Sequence, residues 1–185
     1  MKFPRSCLSV SVALSAMLVG LVGAQEEGRT DYPIPSHGKI TLKVPSGWRV
    51  ATRPTAEPPS VYLRAEPQSG SAFSLQITAV WLDSTKLKKV TPQSMKRDAA
   101  RTADGLLAQS VEKAAPLHDL VGAQAHGVYY SLTDRAPAPG ESRYLTQGTL
   151  LCGEALFAFT FLHHETTSAE HESALQMLAD ARYAP

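Results

Sequence analysis

The chain has 185 residues, 43% of them hydrophobic, and 18 Lys and Arg stand against 17 Asp and Glu for a formal net charge of +1. That balance supplies no basic field for holding nucleic acid or a strongly anionic surface, so nucleic acid is not an expected partner. Only two cysteines occur, Cys7 and Cys152, and they fall on opposite sides of an expected cleavage point, which excludes an intramolecular disulfide from the processed chain.

At the N-terminus, Lys2 and Arg5 form a short basic region and Leu8 to Val22 an apolar, small-residue run. Val22-Gly23-Ala24 then places small residues where signal peptidase needs them. Residues 1–24 are therefore predicted to be a cleaved signal peptide, with Gln25 as the new N-terminus. An uncleaved anchor is the competing reading, but the run covers about 15 residues and is broken by Ser11, Ser15 and Gly20, whereas crossing a bilayer takes roughly 20. Cys7 lies before the run and cannot be a lipid-modified cysteine at the cleavage point, so no stable membrane anchor is expected. The location that follows is periplasmic or secreted. The remaining chain, about 160 residues, suits a single domain able to bury roughly two thirds of its unfolded surface. No asparagine is present, so there is no N-glycosylation acceptor.

Residues 25–37 are polar, contain Pro33 and Pro35 and show no apolar period, which predicts a flexible N-terminal arm ahead of a single α+β domain over 38–185. Lys39 to Val44 alternates as a half-buried strand with Ile40, Leu42 and Val44 inward. Pro45-Ser46-Gly47 is turn chemistry, and Trp48-Arg49-Val50 is extended. Thr52 to Pro59, with three prolines, is expected to be a loop. Val61 to Arg64 predicts a short strand. Ala72 to Leu82 predicts a long one, with Phe73, Leu75, Ile77, Ala79 and Trp81 on one face and Ser74, Gln76 and Thr78 on the other. Thr91-Pro92 is an N-cap followed by proline at the first helical position, and the helix is expected to run to about Lys113–Pro116.

Leu117 to Thr133 reads as extended, and Arg135 to Ser142 as a surface loop. Arg143 to Cys152 and Ala155 to His163 read as a hairpin turning at Gly153-Glu154. Phe157, Phe159 and Phe161 share one face of the second strand, Leu156, Ala158 and Leu162 the other. A strand apolar on both faces is expected to be central and covered on both sides. Thr167 with Glu170 forms a capping box for a last helix whose buried stripe is Leu175, Leu178 and Ala181. Short turns between neighbouring strands favour antiparallel pairing, with the two long helices covering the sheet.

The strand Ile40-Thr41-Leu42-Lys43-Val44 running into Pro45-Ser46-Gly47-Trp48 carries a resemblance, together with a long strand and the helix at Thr91-Pro92. Gly122-Ala123-Gln124-Ala125 leading to Val128, and the aromatic strand and last helix from Ala155 to Tyr183, extend it. On these residues the chain resembles the PsbP/Mog1-like superfamily, including DcrB-like exported bacterial proteins. The resemblance implies a central antiparallel sheet sandwiched by helices and a non-enzymatic accessory or binding role. It transfers no catalytic residues and implies no cofactor.

The one concentration of potential ligands is His163-His164-Glu165 with Glu170, His171 and Glu172 at the next helix start. Imidazole and carboxylate together suit zinc or a similar cation. The pattern H-E-x-x-H fails because Ser168 stands at its last position, and the competing reading is a solvated turn whose acids favour a helix N-terminus. A Ser hydrolase motif fails at Tyr144. Cys152 follows Leu150 and Leu151 in an apolar strand and reads as a small buried hydrophobe. Lys86, Lys88 and Lys89, with Lys96 and Arg97, form the densest basic patch, read as a solvated face or a contact for an acidic partner. Trp48, Tyr62, Trp81, Tyr129 and Tyr130 read as core or sheet-face aromatics. The expectation is an exported binding protein of the bacterial envelope whose partner is an envelope protein or small ligand. The alternative is a periplasmic hydrolase or metalloenzyme around His163, His164 and His171.

Overall fold

The computed structural model describes residues 28–55, 59–70, 72–164 and 169–185. The expected signal peptide, its cleavage point and the Thr167 cap lie outside the described residues. The architecture is α+β and every strand pairing is antiparallel. Strands β1 (Arg29–Pro33), β2 (Lys39–Lys43) and β10 (Arg182–Ala184) form a small sheet in the order β1-β2-β10. Strands β3 (Trp48–Thr55), β4 (Ser60–Pro67), β5 (Phe73–Trp81), β6 (His118–Val121), β7 (Ala125–Thr133), β8 (Tyr144–Cys152) and β9 (Ala155–His163) form the large one. Its order is β3-β4-β5-β9-β8-β7-β6, which puts β9 at the centre. The helices are α1 (Ser84–Leu87), α2 (Pro92–Asp104) and α3 (Ala169–Ala179), with a 3₁₀ turn at Leu107–Gln109. No helix among the described residues is long and apolar enough to cross a membrane.

The inner face of the large sheet carries the main core. Phe157, Phe159 and Phe161 alternate down β9, flanked by Leu75 and Ile77 of β5 and Leu150 of β8. All are 2% exposed or less. The small sheet contributes Ile40 and Leu42, and α3 contributes Met177 and Leu178, to the same cluster. The second layer on this side is thus a sheet and a helix together. A smaller core lies on the outer face, where Met95, Ala99 and Ala103 of α2 cover Val128, Tyr130 and Leu132 of β7.

Several expectations change. The arm expected over 25–37 is, over Arg29–Pro33, strand β1, with Tyr32 6% and Ile34 1% exposed. Its alternation is short, but pairing with β2 seats Tyr32 in the core, and Ile34 follows in the turn, where its N–H donates to the Gly38 carbonyl at 2.9 Å. The expected loop at Thr52 begins later, because β3 continues to Thr55. Pro54 is tolerated there since β3 is an edge strand, where a missing N–H breaks no interior ladder. Helix α2 stops at Asp104 with Gly105 as its C-cap, well short of Lys113. Leu106 and Leu107 then fold against the smaller core. The extended run from Leu117 is a hairpin, β6 turning into β7 at Gly122-Ala123-Gln124. The turn passes so close to α3 that a Cβ on Gly122 would lie 1.7 Å from the Ala179 carbonyl oxygen. The hairpin turn at Gly153 is as expected, and its φ of +57° is a conformation glycine favours.

Candidate binding face and histidine pocket

The expectation that β9 is covered on both sides fails on its outer face. Helix α2 spans only β7 and part of β8, and beyond it Ala158 is exposed while Leu156 and Leu162 are half-buried. Register lines up two rows of side chains across the uncovered strands. One row runs Arg53, Tyr62, Thr78, Ala158, Thr149, and the other Ala51, Arg64, Gln76, Thr160, Gln147. Both rows pass under the edge of α2, to Val128 and Tyr130. At that edge is a cleft of about 220 Å³, lined by Asp98 and Thr102 of α2 and by Tyr130, Gln147, Thr149 and Ala158 of the sheet.

The chemistry of this face is polar and fixed in place. The Tyr130 hydroxyl, pushed up to a pKa of about 12 by burial, donates to Gln147 Oε1 at 2.6 Å. The Gln147 carbonyl is thereby occupied and its amide nitrogen remains a donor. The Arg53 guanidinium stacks over Tyr62, 5.5 Å from the ring centroid. Glu66 is shared by Arg49 at 3.2 Å and Arg64 at 2.5 Å. Two hydroxyls of the outer face, Ser74 Oγ and Thr149 Oγ1, are buried with no hydrogen-bond partner among the described residues.

The expected histidine cluster is partly assembled. His163 ends β9 and is 5% exposed, and His171 sits in the first turn of α3. Their rings stack with centroids 5.5 Å apart and planes 14° apart. His164, one residue on, is exposed, as strand alternation dictates. Around the pair lies a pocket of about 160 Å³ lined also by Glu112, Ser131, Thr133, Tyr144 and Thr146. Thr146 Oγ1 lies 3.0 Å from His171 Nε2 and 2.7 Å from Ser131 Oγ. Burial lowers the His171 pKa, and the Glu172 carboxylate opposes this only in part. Burial alone would raise the Glu112 pKa, but the N–H and hydroxyl of Thr133, at 2.9 and 2.7 Å, outweigh it and the net shift is downward.

The described residues of this cluster form a packed polar seam. The hydrogen bond with Thr146 engages His171 Nε2, and Glu165 lies outside the described residues. Among the described residues, no three His, Cys, Asp or Glu side chains converge as a metal site requires.

Cys152 is fully buried, its thiol donates to the Ala181 carbonyl at 3.3 Å, and burial pushes its pKa up to about 11. It is a neutral thiol at physiological pH. The basic patch is partly neutralised: Lys86 meets Asp83 at 3.5 Å, Lys96 meets Asp119 at 2.8 Å and Arg97 meets Asp98 at 3.5 Å, while Lys88 and Lys89 are exposed. Of the aromatics, Trp48 packs on Phe73, Trp81 stacks on His37 at 3.8 Å and Tyr129 lies beside His118, which leaves Tyr62 on the open face. A wider hollow of about 750 Å³ lies beside α3, lined by Lys43, Glu172 and Asp180 among others, and opens to solvent.

Sequence reasoning found the histidines but not the open face. Its one visible signal was the polar alternation Ser74, Gln76, Thr78. Nothing in the chain order shows that Thr160 and Gln147 share a row with Gln76, because pairing register is a tertiary property.

No family model matches the chain, and no curated protein matches it. Among solved structures, a protein of Bacteroides thetaiotaomicron VPI-5482, determined at 1.50 Å, is similar at a TM-score of 0.45 and 16% identity. The match covers 79% of this chain and 45% of that one. The chain therefore spans less than half the length of that protein.

Proposed function

We propose that this is an exported, non-enzymatic binding protein of the bacterial envelope, built on a PsbP/Mog1-like domain in which helices cover only part of each sheet face, α3 with the small sheet on one and α2 on the other. Its outer sheet face receives the partner, an envelope protein or small ligand. The observation that carries the reading is the pair of aligned side-chain rows left uncovered beside α2, with a cleft at their edge. A sheet face that is polar, ordered by register and bordered by a helix suits recognition. The rival is a periplasmic hydrolase or metalloenzyme around His163, His164 and His171, and acyl transfer there meets a steric objection. The hydroxyl that touches His171 belongs to Thr146, which is fully buried and beyond the reach of a substrate carbonyl.

A photo-crosslinking side chain placed at Gln76 or Thr160 tests the reading in cells that produce the protein. A discrete adduct is expected from both positions and none from Ala138, on a distant loop. Equal labelling from all three positions, or none from the first two, would remove the outer face as the binding surface.

A further inference from the structure

We infer that the open outer face binds an acidic oligosaccharide, a chain of sugar rings bearing carboxylates, and this rests on the reading of that face as the binding surface. Three properties of the face select this ligand. First, the charge at the β3–β4 rim is one-sided: Arg49, Arg53 and Arg64 stand beside a single acid, Glu66, which already serves Arg49 and Arg64, while the acid at the cleft, Asp98, is engaged by Arg97 and Arg101. Arg53 has no carboxylate partner among the described residues, and its stacking on Tyr62 holds the guanidinium at the rim, ready for a planar anion. Second, the floor between the arginines and α2 is made of short amides and hydroxyls. Gln76, Thr78, Thr160 and Gln147 offer both donors and acceptors, matching the alternating hydroxyls of a sugar ring.

Third, the floor lacks large aliphatic anchors: the aliphatic residues in the two rows are Ala51 and Ala158, and the aromatic residue there, Tyr62, is already covered by Arg53. The flat strip over Ala158 admits the face of a ring without steric obstruction. The adjoining cleft of about 220 Å³ is smaller than the roughly 300 Å³ at which drug-sized pockets begin, so it fits one ring rather than a compact larger ligand. Thr149 and Gln147 line that cleft opposite Asp98 and Thr102 of α2.

The test is a titration of the purified chain with short oligogalacturonate and oligoguluronate, followed by calorimetry and by amide chemical shifts. Methyl-esterified oligogalacturonate and hexaglutamate serve as comparisons. At least one acidic sugar is expected to bind saturably, with shifts on β4, β5 and β9 and around Gln147. The doubly substituted R53Q/R64Q chain is expected to bind it about tenfold more weakly or worse, with an unchanged melting temperature. The esterified sugar is expected to weaken to the same degree. Binding of neither acidic sugar, shifts centred on the histidine pocket, or an unaffected R53Q/R64Q chain would each overturn the inference. Hexaglutamate binding as tightly as the sugars would move the ligand class to acidic peptides and overturn it too. Crosslinking from Gln76 and Thr160 that persists after such a failure would show that the face binds something else, so the two failures are separable.

Discussion

The His171 ring is packed against His163 and Phe161 and bonded to Thr146, in surroundings that accept the neutral imidazole more readily than the charged one. Its pKa is lowered below the ordinary 6.5, first by burial, with Glu172 acting in the opposite sense. The unfolded chain therefore takes up this proton before the folded one does, and stability is full above pH 6.5 and falls as pH drops through that value towards the folded pKa. His171→Gln keeps a hydrogen-bonding side chain opposite Thr146 but does not titrate. Thermal melts between pH 8 and 5 are expected to show the native chain losing stability below about 6.5 while the variant stays flatter. Parallel curves for the two would refute the assignment. The lowered carboxylates of Asp31 and Glu112 act in a separate window. Hydrogen bonds from Lys39 and then Thr41 lower Asp31, while Thr133 holds Glu112 down against burial. Their contribution is present above the ordinary values of 3.8 and 4.5 and is lost below them.

At the scale of elements, α2 shows how far a local signal reaches. Thr91 Oγ1 accepts from the Ser94 N–H at 3.1 Å, and Ser94 Oγ returns the bond to the Thr91 N–H at 2.9 Å. Thr91→Ala is expected to cost about 1 kcal/mol, read as a lower denaturation midpoint at unchanged slope; an unaltered midpoint would sink the capping account. That start was legible because a cap and a proline are neighbours in sequence. The stop was not, since Gly105 ends the helix while Leu106 and Leu107 leave it to pack on the smaller core, a demand set by β7 and β8. Strand β9 divides in the same way. Its central place followed from Phe157, Phe159 and Phe161, but the exposure of Ala158 depends on the width of α2, which covers two strands of seven. Strand β10 left no sequence signal at all. Three residues have no measurable period, and it is a strand because β2 offers it an edge. The candidate site suffered most from this limit: its histidines adjoin one helix start, whereas the rows of the outer face draw on five strands.

At the scale of the whole molecule, the β6–β7 turn lies close against the end of α3. Gly122→Ala would force its Cβ into the Ala179 carbonyl, so either the turn or the helix end must move. Crowding of this kind typically costs about 1–3 kcal/mol. Equilibrium denaturation is expected to show that loss for Gly122→Ala and little change for Gly105→Ala, whose nearest neighbour would be 3.4 Å away. Equal stability of both variants would mean that α3 is not seated against this turn. The small sheet has an effect of another kind. Strand β2 is held on one edge by β1 and on the other by β10, with the Tyr183 hydroxyl reaching back to the His37 carbonyl at 2.9 Å. Residues near the two ends of the described chain thus close one sheet between them. Until Arg182 to Ala184 are free to pair, β2 has one edge unpaired, so closure of this sheet waits for residues at the far side of the described chain from its first two strands.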